Sequence, residues 1–202
     1  MKDFGFYLVI TNPVVGYARC AEAAVRAGVK IVQLRMKHVA REDILREARE
    51  MRRVTQGTET LFIVNDDPAL AAEAEADGVH VGQDDMPPAK VRAKFPQLKV
   101  VGLSTHNLDQ VRASWDQPID YIGVGPVYAT PTKDIPDPTL GPEMAGRMIA
   151  AARVPAVAIG GINAETLPAV LATGARNFAV VRAVCQSPDP YSAIRKLLEI
   201  HA

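Results

Sequence analysis

The chain has 202 residues, of which 48% are hydrophobic, and its 23 basic and 23 acidic side chains leave a formal net charge of zero. This size and apolar content suffice for one sizeable core, so we predict a single domain over residues 1–202. The balanced charge, with no dense run of Lys or Arg, argues against nucleic acid or an anionic membrane as the main partner.

Features of location and assembly are few. No segment is apolar over enough residues to predict a membrane span, and the N-terminal apolar run is too short for a signal peptide and is interrupted by Pro13. Cys20 and Cys185 are too few for a disulfide framework. We therefore expect a cytoplasmic protein, and the sequence leaves open whether it forms a homo-oligomer.

Eight short apolar runs, rich in β-branched residues, predict strands along the chain. They lie in order at 6–11, 30–35, 61–64, 78–82, 100–104, 121–125, 156–161 and 178–183. Segments with helical spacing separate them, and strict alternation of strand and helix predicts a parallel sheet. Because eight such units close a (β/α)8 TIM barrel, we predict this fold, with an open doubly wound sheet as the alternative.

Several residues mark where the predicted helices begin and end. Gly28, Gly78 and Gly174 each stand just before a strand, which is typical of a left-handed residue that ends a helix. Asn107, Asn163 and Ser187 precede helical segments and are predicted to cap them.

Acidic clusters at 65–67 and 83–85 follow the third and fourth strands. Parallel strands end at the same edge of a sheet, where α/β folds bind ligands. Carboxylates that converge there repel by about 4 kcal/mol at a separation of roughly 4 Å and an effective dielectric of about 20, so we expect a cation between them. With no Cys or paired His nearby, Mg²⁺ or Mn²⁺ suits Asp66 and Asp85 better than Zn²⁺ does, while Asp67 is assigned to helix capping or an exposed position.

The other strand ends also carry polar residues. Period-two alternation in the motif at 33–37 places three donors, Gln33, Arg35 and Lys37, on one side of the second strand. The later strand ends supply Ser104, Thr130, Thr132, Lys133, Gly160, Gly161, Val181 and Arg182. The last four follow the seventh and eighth strands, where barrels commonly hold a phosphate through backbone N–H groups.

Each of these signals, taken singly, also fits a solvated loop or an ordinary turn. Together they predict two anion sites on one face, one of them with a metal. A diphosphate held by the metal, Arg35, Lys37 and Lys133 would be a leaving group whose developing charge is already neutralised. Since no activated nucleophile with its base is evident, we predict displacement of diphosphate by a second phosphorylated small molecule, with positioning supplying most of the acceleration.

Seven motifs resemble those of the thiamine-phosphate synthase family in order, spacing and content. They are QLRMK (33–37), VNDDPALA (64–71), ADGVHVGQDDMP (76–87), GLSTHN (102–107), DYIGVGPVYATPTK (120–133), PAVAIGGIN (155–163) and FAVV (178–181). The resemblance, which covers nearly the whole chain, implies a Mg²⁺-dependent barrel transferase that joins hydroxymethylpyrimidine diphosphate to thiazole phosphate. It implies that diphosphate leaves first and that the thiazole nitrogen captures a pyrimidinylmethyl cation.

The resemblance also implies site residues. The pyrimidine diphosphate would contact Gln33, Arg35, Lys37, Asn65, Ser104 and Lys133, with Mg²⁺ on Asp66 and Asp85. The thiazole phosphate would contact Thr130, Thr132, Gly160 or Gly161, and the backbone at Val181 and Arg182. The catalytic candidates are Arg35, Lys37, Ser104 and Lys133. The chain departs from the family at Arg182, where serine is usual; the arginine either strengthens the phosphate site or crowds its amides.

Two other functions remain open. The related thiazole tautomerases also resemble this chain, and in that reaction His106 would be the acid–base candidate. A non-catalytic homologue that binds a thiamine precursor is the third alternative. Neither needs the two metal aspartates together with Arg35, Lys37 and Lys133, so we rank the synthase first. His80 alternates with valines and is expected to be a hydrogen-bonded residue of the barrel wall.

Overall fold

The computed structural model describes residues 2–132 and 138–201. Within them, all eight predicted strands form and pair in parallel in chain order, with the first beside the last. The strands are β1 Phe6–Ile10, β2 Ile31–Leu34, β3 Leu61–Asn65, β4 Gly78–Val81, β5 Val100–Thr105, β6 Tyr121–Val124, β7 Ala156–Ala158 and β8 Asn177–Val180. The predicted (β/α)8 TIM barrel is confirmed, and the open sheet is wrong.

Helices follow the strands around the outside of the barrel. Those of the described residues are α1 Tyr17–Arg26, α2 Arg41–Thr55, α3 Pro68–Glu73, α4 Pro88–Lys94, α5 Leu108–Ala113, α6 Gly141–Ala151, α7 Leu167–Leu171, α8 Arg182–Cys185 and α9 Pro190–His201. The short α8 was not predicted, because the last apolar run was expected to remain a strand as far as residue 183. None of the helices in the described ranges has the length and apolarity needed to cross a membrane.

The strand side chains divide between two cores because alternate residues of a barrel strand face inward and outward. The inner core consists of Tyr7, Val9, Ile31, Ile63, Val100, Tyr121, Val157 and Ala179. The larger outer core lies between strands and helices and includes Leu8, Val32 and Leu34. The alternation predicted for the second strand therefore holds, since Gln33 lines the interior while Leu34 packs outward.

Polar side chains begin several helices. Asn107 and Asp67 each cap the helix that follows by accepting a hydrogen bond from a backbone amide three residues later, at 2.9 and 2.8 Å. The prediction for Ser187 was wrong. Because α9 begins at Pro190, Asp189 occupies the position before the helix, and Ser187 instead accepts a hydrogen bond from the Asp189 amide at 3.1 Å.

Two glycines in the barrel strands leave room for neighbouring groups. Gly78 was predicted as a left-handed helix end, which is wrong; it opens β4, where a Cβ atom would lie 2.1 Å from the Val100 carbonyl oxygen. At Gly102 in β5, a Cβ atom would lie 2.2 Å from the Tyr121 ring and 2.5 Å from Nδ1 of His80. The absence of a side chain at Gly102 thus creates the interior space that these two residues fill.

We predict that Gly102→Ala lowers the free energy of unfolding by about 1–3 kcal/mol, because the added methyl group overlaps with Tyr121 and His80. Gly123→Ala on β6 is the matched control, since its Cβ would make an ordinary contact of 3.4 Å with the His80 ring. Urea unfolding of the two variants measures the difference. A loss at Gly102 no larger than that at Gly123 would contradict this account of the interior packing.

Candidate active site

A cavity of about 460 Å³ lies at the carboxyl ends of the barrel strands, within the usual size range of small-molecule sites. Its lining includes most of the residues that the sequence predicted for the two substrates. These are Gln33, Arg35, Asn65, Ser104, Thr130, Thr132, Gly160, Gly161, Val181 and Arg182. The fold therefore brings residues of both predicted half-sites into one space, whereas Lys37, Asp66 and Asp85 are not among its lining residues, and the individual roles stay predictions.

The predicted metal ligands form a charged group next to this cavity, because Asp66 directly follows Asn65. The Lys37 ammonium donates a hydrogen bond to the Asp66 carboxylate. The Asp85 carboxylate accepts a hydrogen bond from the Gly82 amide at 2.7 Å. Burial raises the pKa of Asp85; the Gly82 bond opposes this shift, and the neighbouring Asp66 carboxyl adds to it. The two carboxyl groups are thus close enough to influence each other.

The backbone of Asp66 adopts an uncommon conformation. Its φ of 64° lies in the left-handed region, which aspartate tolerates better than most residues. Its amide donates to the His80 carbonyl at 2.8 Å, which continues the pairing of β3 with β4 beyond the end of β3. This turn accompanies the contacts of the Asp66 carboxyl with Lys37 and Asp85.

Asp66 and Asp85 have the donor chemistry of a magnesium site. Residues 2–132 and 138–201 contain no group of three or more His, Cys, Asp or Glu side chains that could enclose a metal. Magnesium, however, is commonly bound through one or two carboxylates, with waters and substrate phosphates completing its coordination. Burial and, to a smaller extent, the neighbouring Asp66 carboxyl raise the pKa of Asp85, and a divalent cation bound there would favour the ionised form.

A chain of hydrogen bonds crosses the barrel interior at the bottom of the cavity, and Tyr7, Gln33, His80 and Ser104, which belong to it, line the cavity. Gln33 donates through Nε2 to the Tyr7 hydroxyl at 2.7 Å, and the hydroxyls of Tyr7 and Tyr121 are 2.9 Å apart. His80 continues the chain, with Nδ1 2.9 Å from the Tyr121 hydroxyl and Nε2 2.8 Å from Oγ of Ser104. The structure agrees with the expectation of a hydrogen-bonded His80 in the barrel wall.

The sequence analysis missed the two tyrosines of this chain. Both occupy inward positions of their strands, because Tyr7 is two residues from the inward Val9 and Tyr121 is two residues from the inward Gly123. That alternation was the available signal. A tyrosine facing the middle of a barrel needs a partner for its hydroxyl, which should have directed attention to the polar residues of the neighbouring strands.

The loop after β6 lies directly against the turn after β7. The hydroxyls of Thr130 and Thr132 are 2.9 Å apart. Gly160 and Gly161 have φ angles of 104° and 64°, and a Cβ atom on Gly160 would approach Cα of Pro126 to 2.6 Å. Because only glycine fits both the backbone conformation and the space, the predicted phosphate turn and the two threonines are held side by side.

The end of β8 leads into α8 at Arg182. The preceding residue, Val181, provides no side-chain cap, so the first amides of the helix are left for other acceptors, including an anion. Arg182 is exposed to solvent, and it lines the cavity. The departure from the family serine therefore lies at the predicted phosphate site.

Two further basic residues complete the set of candidates. Arg35 is half-buried in the cavity lining, and its amide donates to the Ile10 carbonyl at 2.9 Å, which anchors the backbone just after β2. Lys133 lies outside the described residues, so its predicted contact with diphosphate stays a prediction.

His106, the candidate for acid–base chemistry, also lines the cavity. Its Nδ1 donates a hydrogen bond to the Gly125 carbonyl at 2.7 Å, and its backbone amide donates to the Gln110 side chain at 2.7 Å. These bonds orient the imidazole at the cavity wall. The His106 imidazole is therefore held where it can face a ligand in the cavity.

The model of the thiamine monophosphate synthase family matches residues 6–184. The chain belongs to this family. It is 45% identical over 179 residues to the thiamine-phosphate synthase of Synechococcus sp. (strain WH7803), and this match covers 89% of this chain and 50% of that protein. It is 36% identical over 202 residues to the thiamine-phosphate synthase of Archaeoglobus fulgidus, with coverage of 99% and 95%.

Solved structures agree with this assignment. Thiamine phosphate pyrophosphorylase from Pyrococcus furiosus matches with a TM-score of 0.88 and 27% identity, and the match covers 98% of this chain and 96% of that one. The chain spans about half the length of the Synechococcus relative but nearly the full length of the archaeal one. The family predicted from the seven motifs is confirmed.

We predict that Asp85→Asn raises the melting temperature of the metal-free protein at neutral pH but not at acidic pH. A carboxyl whose pKa is raised by folding opposes folding when it is ionised. This opposition is absent below the pKa of the unfolded chain, grows as the pH rises towards the folded-state pKa, and is complete above it. Thermal unfolding followed by circular dichroism in EDTA measures the effect.

The exposed neighbour Asp84 provides the matched control, because Asp84→Asn removes the same charge two residues from Gly82 without touching the carboxyl pair. Its melting temperature should differ little from that of the parent protein at either pH. An equal gain in both variants would mean that general charge reduction, and not the carboxyl pair, explains the result.

Proposed function

We propose that this protein is a thiamine-phosphate synthase that joins hydroxymethylpyrimidine diphosphate to thiazole phosphate and releases diphosphate. One observation carries the proposal: a single cavity is lined both by Arg35 and by Gly160, Gly161 and the start of α8. The ion pair of Lys37 with Asp66 lies next to the same cavity. Membership of the thiamine monophosphate synthase family supports it. The two half-sites match two substrates that each carry phosphate.

The diphosphate would lie at the side of the cavity formed by the ends of β2, β3 and β4. Arg35 and Lys37 bring positive charge there, and Asn65 offers an amide. Magnesium bound to Asp66 and Asp85 would supply additional positive charge to the diphosphate oxygens. Since Lys37 already lies on Asp66, it is placed to move between that carboxylate and the incoming diphosphate.

The reaction exchanges one bond for another at the pyrimidine methylene carbon. Its bond to the diphosphate oxygen breaks, and the electron pair leaves with the diphosphate. The lone pair of the thiazole nitrogen then forms the new carbon–nitrogen bond. The residues lining the cavity contribute by holding the two substrates in one orientation and by stabilising the charge of the leaving group, for which no protein nucleophile is required.

The thiazole phosphate would lie at the opposite side, against Gly160, Gly161 and the first turn of α8. Thr130 and Thr132 can donate from the adjacent loop. We propose that Arg182 strengthens this subsite, because a guanidinium can give two parallel hydrogen bonds to a phosphate group.

A thiazole tautomerase is the second candidate, and the oriented imidazole of His106 is the observation that favours it. That reaction would leave Lys37, Asp66 and Asp85 without a substrate group to bind. We also propose a cytoplasmic location, which is supported by two buried cysteines that form no disulfide.

The central prediction concerns product formation. The purified protein, incubated with both precursors, should form thiamine phosphate detectable by mass spectrometry with Mg²⁺ but not with EDTA. Asp85→Asn should lower turnover and require more Mg²⁺, whereas Asp84→Asn should behave as the parent protein. Absence of product from folded protein with Mg²⁺ would refute the synthase assignment, and product formed equally well in EDTA would refute the metal assignment alone.

A second prediction concerns the thiazole half-site. Arg182→Ser should raise the KM for thiazole phosphate by about tenfold, the effect of losing one charge-assisted hydrogen bond. The KM for the pyrimidine diphosphate should change by less than about twofold, since a phosphate contact at α8 does not touch that substrate. Arg195→Ser on the exposed face of α9 is the control for loss of an arginine. Equal changes in both KM values would mean that Arg182 does not bind the thiazole phosphate specifically.

A further inference from the structure

We infer that Tyr7, Tyr121 and His80 are positioning residues that make Ser104 a hydrogen-bond donor, and Gln33 a hydrogen-bond acceptor, towards the ligand in the cavity. The chemical class of that ligand, an aminopyrimidine, rests on the proposed function. The direction of the hydrogen bonds does not, because it follows from the order of groups along the chain at the bottom of the cavity.

The direction begins at Gln33. Its amide nitrogen can only donate, so the Tyr7 hydroxyl must accept at the observed 2.7 Å. A phenol has one proton, and that of Tyr7 is then directed to the Tyr121 hydroxyl 2.9 Å away. Tyr121 in turn directs its proton to Nδ1 of His80. The order of donors therefore runs from β2 through β1 and β6 to β4.

His80 passes this order on to β5. With Nδ1 accepting a hydrogen bond, the neutral imidazole carries its proton on Nε2, which donates to Oγ of Ser104 at 2.8 Å. The proton of the serine hydroxyl is then available to the cavity, which Ser104 lines. At the other end, the carbonyl oxygen of the Gln33 amide is the part that the chain does not use. One end of the chain offers a donor and the other an acceptor.

Burial keeps the two phenols in their protonated form. Tyr7 and Tyr121 are 1% and 0% exposed, and burial raises the pKa of each well above its ordinary value. Each tyrosine therefore retains its single proton. If the Tyr7–Tyr121 link were reversed, Tyr7 would accept from both Gln33 and Tyr121, its own proton would have no acceptor within the chain, and His80 would have to carry its proton on Nδ1.

The barrel is shaped around this chain. Gly102 leaves the space for the Tyr121 ring and the His80 imidazole, which stack with centroids 5.4 Å apart. Phe4 contacts the rings of Tyr7 and Tyr121 edge-on, at 6.1 and 5.9 Å, and so packs against the pair. These contacts restrict the rings that set the direction of the hydrogen bonds.

An aminopyrimidine matches this pattern. Its exocyclic amino group donates, as the Gln33 carbonyl oxygen requires, and a ring nitrogen accepts, as the Ser104 hydroxyl requires. A pyrimidinone analogue with an oxo group in place of the amino group presents the opposite pattern, because its oxo group accepts and the adjacent ring nitrogen carries a proton. The chain would thus select the amino form of the substrate.

The first test is spectroscopic and does not depend on activity. Nitrogen-15 NMR of histidine-labelled protein should show His80 as the neutral form protonated at Nε2, with the resonance identified by its loss in His80→Gln. Tyr121→Phe should change the Nδ1 shift, because it removes the donor to that nitrogen. Observation of His80 protonated at Nδ1 in the parent protein would overturn the inference, whether or not the protein makes thiamine phosphate.

The second test separates positioning from general stability. Tyr121→Phe and His80→Asn should raise the KM for the pyrimidine diphosphate by about fivefold to tenfold, the effect of one misdirected hydrogen bond, and leave that for thiazole phosphate unchanged. His80→Gln should restore most of the loss, since its amide nitrogen can reach Ser104 and donate, whereas the shorter Asn cannot. Rejection of the pyrimidinone analogue should weaken in Tyr121→Phe.

Thr105→Val is the matched control. It removes another buried hydroxyl from β5, one that donates to the Gly123 carbonyl at 2.8 Å and belongs to neither the chain nor the cavity lining. Its two KM values should stay near those of the parent protein. Equal losses in Thr105→Val and Tyr121→Phe, or no rescue by His80→Gln, would overturn the positioning role. A parent protein without synthase activity would instead refute the proposed function and leave the NMR result to decide the direction.

Discussion

Closure of the sheet between β1 and β8 is the constraint on which the rest of the structure depends. Leu8 pairs with Val180 across this seam, and the buried side chain of Asn177 reinforces it. Asn177 accepts hydrogen bonds from the amides of Phe4 and Gly5, at 2.7 and 3.0 Å, and donates to the carboxylate of Asp3 and the carbonyl of Ala156. Once the seam is closed, all eight strand ends surround one mouth, and residues far apart in the chain share a single cavity.

The barrel treats polar groups differently at two depths. At the mouth, Lys37, Asp66 and Asp85 are partly solvated, and the two carboxyl groups lie close together beside the Lys37 ammonium. In the interior, Tyr7 and Tyr121 are neutral and have hydrogen-bond partners, as a low-dielectric environment demands. The charged side chains at the mouth are suited to bind ions and phosphate, while the hydrogen-bonded side chains of the interior are suited to orient a ring.

Prediction from sequence succeeded where the determining forces act over a few residues. The strand runs, the cap at Asn107 and the left-handed Gly28 and Gly174 all follow from local patterns, and the structure has them. Gly78 has the same sequence context, but it is a strand residue whose missing side chain admits the Val100 carbonyl. The short helix that begins at Arg182 was not predicted for a related reason. The apolar run that precedes it carries no local signal that the strand ends.

The sequence by itself determined the barrel and the set of polar residues at its mouth, because alternation of strand and helix and the residues that end each strand are local properties. Only the tertiary structure decided how those residues are grouped. It paired the Lys37 ammonium with the Asp66 carboxylate, and it connected Gln33 to Ser104 by hydrogen bonds through three side chains from other strands. Such contacts depend on the radius and stagger of the closed barrel, which arise from the packing of all eight strands together and which no single segment encodes.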